Sequence, residues 1–95
     1  MAVVLTSIAR VRDWRALERL SRETLVGRAR EVGATRYRLY RNVRDASRVL
    51  IVAEFPNHEA ARELGRDVGE QLGAVLAGGA PDEQVWEATA CAGIG

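Results

Sequence analysis

The chain has 95 residues, 47% hydrophobic and 28% charged, with a formal net charge of +1. A chain this short supports one hydrophobic core, so a single domain spans residues 1–95, and so small a net charge predicts no general attraction to nucleic acid. All fourteen basic residues are Arg, which excludes a lysine Schiff base, and with one Cys and one His no Cys/His zinc site can be built.

Residues 2–10, AVVLTSIAR, read as a strand with Val3, Leu5, Ser7 and Ala9 on one face and Val4, Thr6 and Ile8 on the other. Both faces are mostly apolar, as in a strand covered on two sides. Asp13 offers a helix N-cap, and Trp14, Leu17, Ser21, Leu25, Arg28 and Val32 then recur at three- and four-residue spacing. Gly33 is placed to terminate that helix. ATRYRLYRNV alternates as a second strand, NVRDAS supplies turn chemistry, and RVLIVAEF is a third strand, so the two strands predict a hairpin.

Pro56 ends the third strand, and Asn57 is positioned to cap a second helix carrying Ala60, Ala61 and Leu64. Glycines follow at 65, 69 and 73, each costing about 1 kcal/mol relative to Ala in a helix interior. Asp67-Val68-Gly69-Glu70 has the spacing of a capping box. The expected reading is therefore a break near Gly65-Asp67, a third helix burying Val68, Leu72, Val75 and Leu76, and an end at Gly78-Gly79 before Pro81; the alternative is a continuous helix whose glycines form a small-residue ridge for close approach of a ligand or partner. A last strand is expected over EQVWEATA, and the tail CAGIG is expected to be loosely ordered or laid against a partner.

Strand, helix, strand, strand, broken helix, strand is the β-α-β-β-α-β order of an α+β, ferredoxin-like fold. It predicts a four-stranded antiparallel sheet with helices on one face. Strands apolar on both faces leave the uncovered face in need of a partner, and a homodimer through the sheet face is the expected one. No apolar run is long enough to span a bilayer, and no basic region followed by a long apolar core opens the chain. The expectation is a soluble, cytoplasmic protein with no membrane partner; its richness in Arg, Ala and Gly matches a GC-rich bacterial genome.

From Val3 to Glu87 the chain resembles the dimeric α/β-barrel superfamily, the group of antibiotic-biosynthesis-monooxygenase-like proteins, small polyketide cyclases and muconolactone isomerases. The resemblance rests on element order and on DWRAL, YRNVRDASRVLIVAEFPNHEAAREL and DVGEQLGAVLAGG. It implies a pocket between sheet and helices, an aromatic or polyketide-like ligand, and chemistry without a metal or organic cofactor. The helix after Phe55 lacks Trp, and His58 lies in its first turn, a departure from the oxygenase members' constellations. Cofactor-free cyclisation or isomerisation is the reading that follows; a non-catalytic dimeric binding or interaction module and a cofactor-independent monooxygenase are the alternatives.

His58, the one imidazole, is the default acid/base candidate. Tyr37 and Tyr40 lie on opposite faces of the second strand, so one at most reaches a helix-side pocket. Tyr37 is the catalytic candidate and Tyr40 a substrate-binding one, because a Tyr hydroxyl can donate to the carbonyl or phenolate of a bound aromatic. Arg28 falls on the expected buried stripe, where it needs an anion such as Glu54 or an acidic ligand group. Trp14 and Trp86 could stack on a planar ligand, whereas Cys91, with no His near it in sequence, reads as inert. The hairpin arginines 36, 38, 41, 44 and 48 read as solvated charges, since no Gly-aromatic string for stacking bases accompanies them.

Overall fold

The computed structural model describes residues 2–87 and 89, with residues 78–80 described by their backbone alone. Cys91, the tail and the final positions of the expected last strand lie outside the described residues. The chain runs β1 (Val3–Val11), α1 (Trp14–Leu20), a π-helical turn (Ser21–Leu25), α2 (Val26–Glu31), β2 (Arg36–Arg41), β3 (Arg48–Phe55), α3 (His58–Val75) and β4 (Leu76–Glu87). The strands form one four-stranded sheet in the order β2-β3-β1-β4, and every pairing is antiparallel. This is the expected ferredoxin-like α+β architecture. Among the described residues no helix is long and apolar enough to cross a membrane.

Local chemistry sets the boundaries. The Asp13 carboxylate accepts from the Ala16 N–H at 3.2 Å, and the Asn57 side chain accepts from Ala60 N–H at 2.9 Å; each satisfies an amide that the first helical turn leaves unpaired. At the end of α2, Gly33 adopts φ 94°. Gly33 N–H donates to Arg30 at 3.0 Å and Ala34 N–H to Ala29 at 2.8 Å, the paired bonds of a Schellman motif. In the hairpin, Asn42 Oδ1 accepts from the amides of Arg44 and Asp45 at 2.8 and 2.9 Å. That side-chain turn sets the register in which Arg36 faces Glu54 and Arg41 faces Val49.

The first helix departs from simple periodicity. Its buried positions are Leu17, Ser21, Leu25 and Ala29, four apart. In a regular helix each such step would rotate the stripe by about 40°. The π-helical turn, marked by the Val26 N–H bonding back to Ser21, is wider and cancels that drift. Ala29 thereby takes the core position and Arg28 moves to the exposed flank.

The expected break near Gly65-Asp67 is not present: α3 is one helix from His58 to Val75. Ala60, Ala61, Leu64 and Val68 are buried on one stripe that passes straight through Gly65, and burial of that stripe outweighs the local capping pattern. The Asp67 carboxylate does not cap; it accepts from Arg28 on α2. Nor does Gly78-Gly79 end a helix, because Leu76 is already extended (φ −99°, ψ 156°) and the chain passes directly into β4. The β1–β4 register jumps there, with Ile8 facing Asp82 and Arg10 facing Ala77.

Two clusters fill the layer between helices and sheet. One centres on Leu25, Phe55, Leu64 and Val68, the other on Leu17, Val49, Ile51 and Leu76. Tyr37 and Leu72 pack against both and so occupy the seam between them. The opposite face of the sheet is uncovered and carries Ile8, Tyr40 and Trp86, which are 40%, 46% and 52% exposed.

Candidate functional site

The seam opens into a cleft. An inner cavity of about 50 Å³ is lined by Leu5, Ser7, Leu25, Tyr37, Ile51, Ala53 and Leu64, with Val68 and Leu72 above. Leu5, Gly65, Gly69, Leu72 and Glu83 border both this cavity and an outer groove of about 640 Å³. The two are therefore one depression, walled by α3 on one side and by β1 and β4 on the other. Its combined size falls in the range of small-molecule sites.

Strand alternation places the inner polar groups. Ser7 shares the helix-facing side of β1 with Val3 and Leu5, and β4 pairing sets Glu83 beside it. Ser7 and Ser21 are 3% and 5% exposed, and neither hydroxyl has a hydrogen-bond partner among the described residues. Buried polar groups ordinarily find partners, so the orphan hydroxyl of Ser7, which lines the inner cavity, marks a site that an added group can complete. Tyr37 comes from β2, opposite Ala53. Burial pushes its hydroxyl above the usual tyrosine value, and the nearby Ser21 offsets this in part; the pair falls short of hydrogen-bond geometry, which leaves Ser21 Oγ free. At neutral pH Tyr37 is thus a neutral donor, not a phenolate.

The outer groove is more polar. His58, Arg62 and Arg66 line it from α3, and Glu83 faces them from β4. Arg66 also pairs with Glu59 at 3.6 Å. Along α3, Gly65, Gly69 and Gly73 present bare backbone to the groove, and among the described residues a Cβ built on any of them meets nothing within 4 Å.

Of the residues singled out in the sequence, Tyr37 stands at the inner end of the cleft and His58 on its outer rim. Trp14, Arg28, Tyr40 and Trp86 line neither part. The indole N–H of Trp14 donates to the Ala46 carbonyl at 2.6 Å, and the Arg41 guanidinium lies 4.4 Å above its ring. Arg28 is exposed, not buried, and pairs with Glu31 and Asp67 instead of Glu54; those carboxylates hold its pKa above the usual arginine value, with Asp67 the main cause. Glu54 pairs with Arg36 across the strands at 3.1 Å. Tyr40 and Trp86 stand on the open face, where the Trp86 indole N–H donates to Thr6 Oγ1 at 2.8 Å.

Sequence reasoning missed Ser7, Ser21 and Glu83. The signal for Ser7 was present, since it interrupts an otherwise apolar strand face at a position expected in the core. Ser21 was on the expected stripe, but nothing in its neighbours announces a π-helical turn. Among the described residues no cluster of His, Cys, Asp and Glu is arranged to hold a metal ion.

No protein-family profile matches the chain, and no curated relative matches it in sequence. Its structure, in contrast, superposes closely on a solved one, that of SnoaB, a cofactor-independent oxygenase from Streptomyces nogalater. The TM-score is 0.75 at 18% identity, over 95% of each chain. The chain shares the ferredoxin-like fold of that protein. A dimeric ferredoxin-like protein from an uncultured marine organism is also similar, with a TM-score of 0.65 at 14% identity over 94% of this chain and 89% of that one. So is a Nitrosomonas europaea protein provisionally assigned as an antibiotic biosynthesis monooxygenase, with a TM-score of 0.73 at 13% identity over 92% and 89%. The resemblance first noted in the sequence holds at the level of fold.

Proposed function

We propose that the protein binds a flat aromatic or polyketide-like metabolite in the cleft and acts on it without a cofactor, by proton transfers that cyclise or isomerise it. The observation that carries this reading is a cleft of ligand size ending in the orphan Ser7 hydroxyl and the neutral Tyr37. Tyr37 donates to a carbonyl or phenol oxygen and stabilises charge developing there. His58 on the rim accepts or returns a proton, and the apolar walls orient the ring. A thermal-shift screen of polycyclic phenols and their linear precursors tests this. Stabilisation by several of them, with turnover lost by about 10²-fold or more in Tyr37→Phe, supports it; no stabilisation by any would refute it.

The likeness to SnoaB favours one second reading, oxygenation. A phenolate or enolate formed in the same cleft would give an electron to dioxygen and then combine with it at carbon, so that dioxygen serves as the oxidant and no cofactor is needed. Oxygen uptake that depends on substrate would select oxygenation, and product formation without uptake would select cyclisation or isomerisation.

The same proposal includes a homodimer through the open sheet face. Ile8, Leu50, Tyr40 and Trp86 leave an apolar surface there, indented by a depression of about 360 Å³ beside Ile8, Tyr40 and Leu50. A domain this small gains from covering it. The dimeric ferredoxin-like neighbour supports a dimer as such.

A further inference from the structure

Three glycines in one continuous helix need a reason that packing within the subunit does not supply. Gly65, Gly69 and Gly73 recur every four residues on α3, leaving a strip about 12 Å long without side chains. Among the described residues no neighbour approaches that strip, since a Cβ at any of the three would meet nothing within 4 Å. The glycines therefore do not serve close helix-to-sheet contact. All three border the outer groove, and Gly65 and Gly69 also border the inner cavity. A bare strip facing an open groove suits the flat face of a ring.

Ser7 is the independent second observation. It is 3% exposed, lines the inner cavity, and its hydroxyl is unpartnered among the described residues. An unpartnered buried hydroxyl is costly, and a ligand oxygen at that position would satisfy it. The charge of that oxygen is also constrained. Among the described residues the inner cavity has no cationic lining residue, and Glu83 borders it. An anionic group would be desolvated and repelled there, whereas a neutral hydroxyl or carbonyl would not.

We infer that, within the binding site proposed above, Gly65, Gly69 and Gly73 form a bare wall for the face of a planar ring, and that Ser7 selects a ring bearing a neutral oxygen at its leading edge. This inference rests on the cleft being the ligand site and adds which residues set its specificity. Tyr37 is the second donor at that edge.

The test is a titration of the wild-type protein with 2-naphthol and with 2-methylnaphthalene, which has nearly the same shape and no oxygen. Ser7→Ala and Gly69→Leu are titrated in parallel, and each is checked by thermal melting. Wild type should prefer 2-naphthol by about tenfold or more, against the greater hydrophobicity of the methyl compound. Ser7→Ala should reduce that preference to about twofold or less, with its melting temperature unchanged or raised because an orphan hydroxyl is gone. Gly69→Leu should lose both ligands while melting no lower than wild type, since Leu favours helix and the position is open.

Equal affinity of wild type for both ligands, or a preference that survives Ser7→Ala, would overturn the role of Ser7. Unimpaired binding to Gly69→Leu would overturn the glycine wall. Each of those results leaves the cleft as a ligand site. If neither ligand binds wild type, the proposed function falls together with the inference.

Discussion

Replacing Gly65, Gly69 and Gly73 by Ala, singly and together, tests the continuity of α3 and the openness of its glycine face at once. All three lie within His58–Val75, and among the described residues no neighbour comes within 4 Å of the added methyl. Each substitution should then recover helix propensity worth about 0.5–1 kcal/mol. The three together give about 1.5–3 kcal/mol if they add. For a domain below 100 residues, that corresponds to a rise in melting temperature of about 6–24 °C. Circular dichroism melts and urea unfolding at one fixed protein concentration would measure it, since an oligomer's melting point depends on concentration. The result that refutes the reasoning is specific. If Gly65→Ala destabilises while Gly69→Ala and Gly73→Ala stabilise, the helix is broken at Gly65; if all three destabilise, something covers that face.

Three further outcomes are expected. Leu50→Asp on the open sheet face should convert the proposed dimer to a species of 10.4 kDa by light scattering, whereas wild type should give about twice that mass; a wild-type monomer at micromolar concentration would refute the dimer. Asp45 is held below the usual carboxylate range, mainly by hydrogen bonds from the Ser47 hydroxyl and amide and secondarily by Arg10. Its contribution is therefore present above the ordinary aspartate pKa and lost as pH falls through the lower, folded value. The protection of the Ser47 amide, taken against its intrinsic exchange rate at each pH, should fall over that acidic window in wild type, and Asp45→Ala should show the low protection at all pH values. Tyr37 is shifted the other way, so its contribution is present below the ordinary tyrosine pKa and lost as pH rises through the raised one. Alkaline absorbance titration should show a late tyrosine phase that vanishes in Tyr37→Phe, and its persistence would contradict the assignment.

Much of the fold was legible because its signals are local. Asp13, Asn57 and Gly33 cap helices through bonds to residues three or four positions away, and Asn42 closes its turn within three residues. What was not legible depends on partners distant in sequence. Asp67-Val68-Gly69-Glu70 reads as a capping box until Arg28, 39 residues earlier, takes the Asp67 carboxylate. Arg28 in turn reads as buried only while the first helix is assumed regular; the π-helical turn moves Ala29 into its place. The candidate site followed the same division. Strand alternation put one tyrosine toward the helices, and Tyr37 is that one. The grouping of Ser7, Ser21 and Tyr37 required knowing which strands pair and where the helix widens.

The central claim is that the cleft between α3 and the sheet is a small-molecule site. Backbone NMR of the labelled protein, titrated with 2-naphthol, tests it most directly. The account predicts the largest shift changes at Ser7, Tyr37, Gly65 and Gly69, with little change at Tyr40 and Trp86. Changes confined to the open sheet face, or no changes up to the solubility of the ligand, would contradict it.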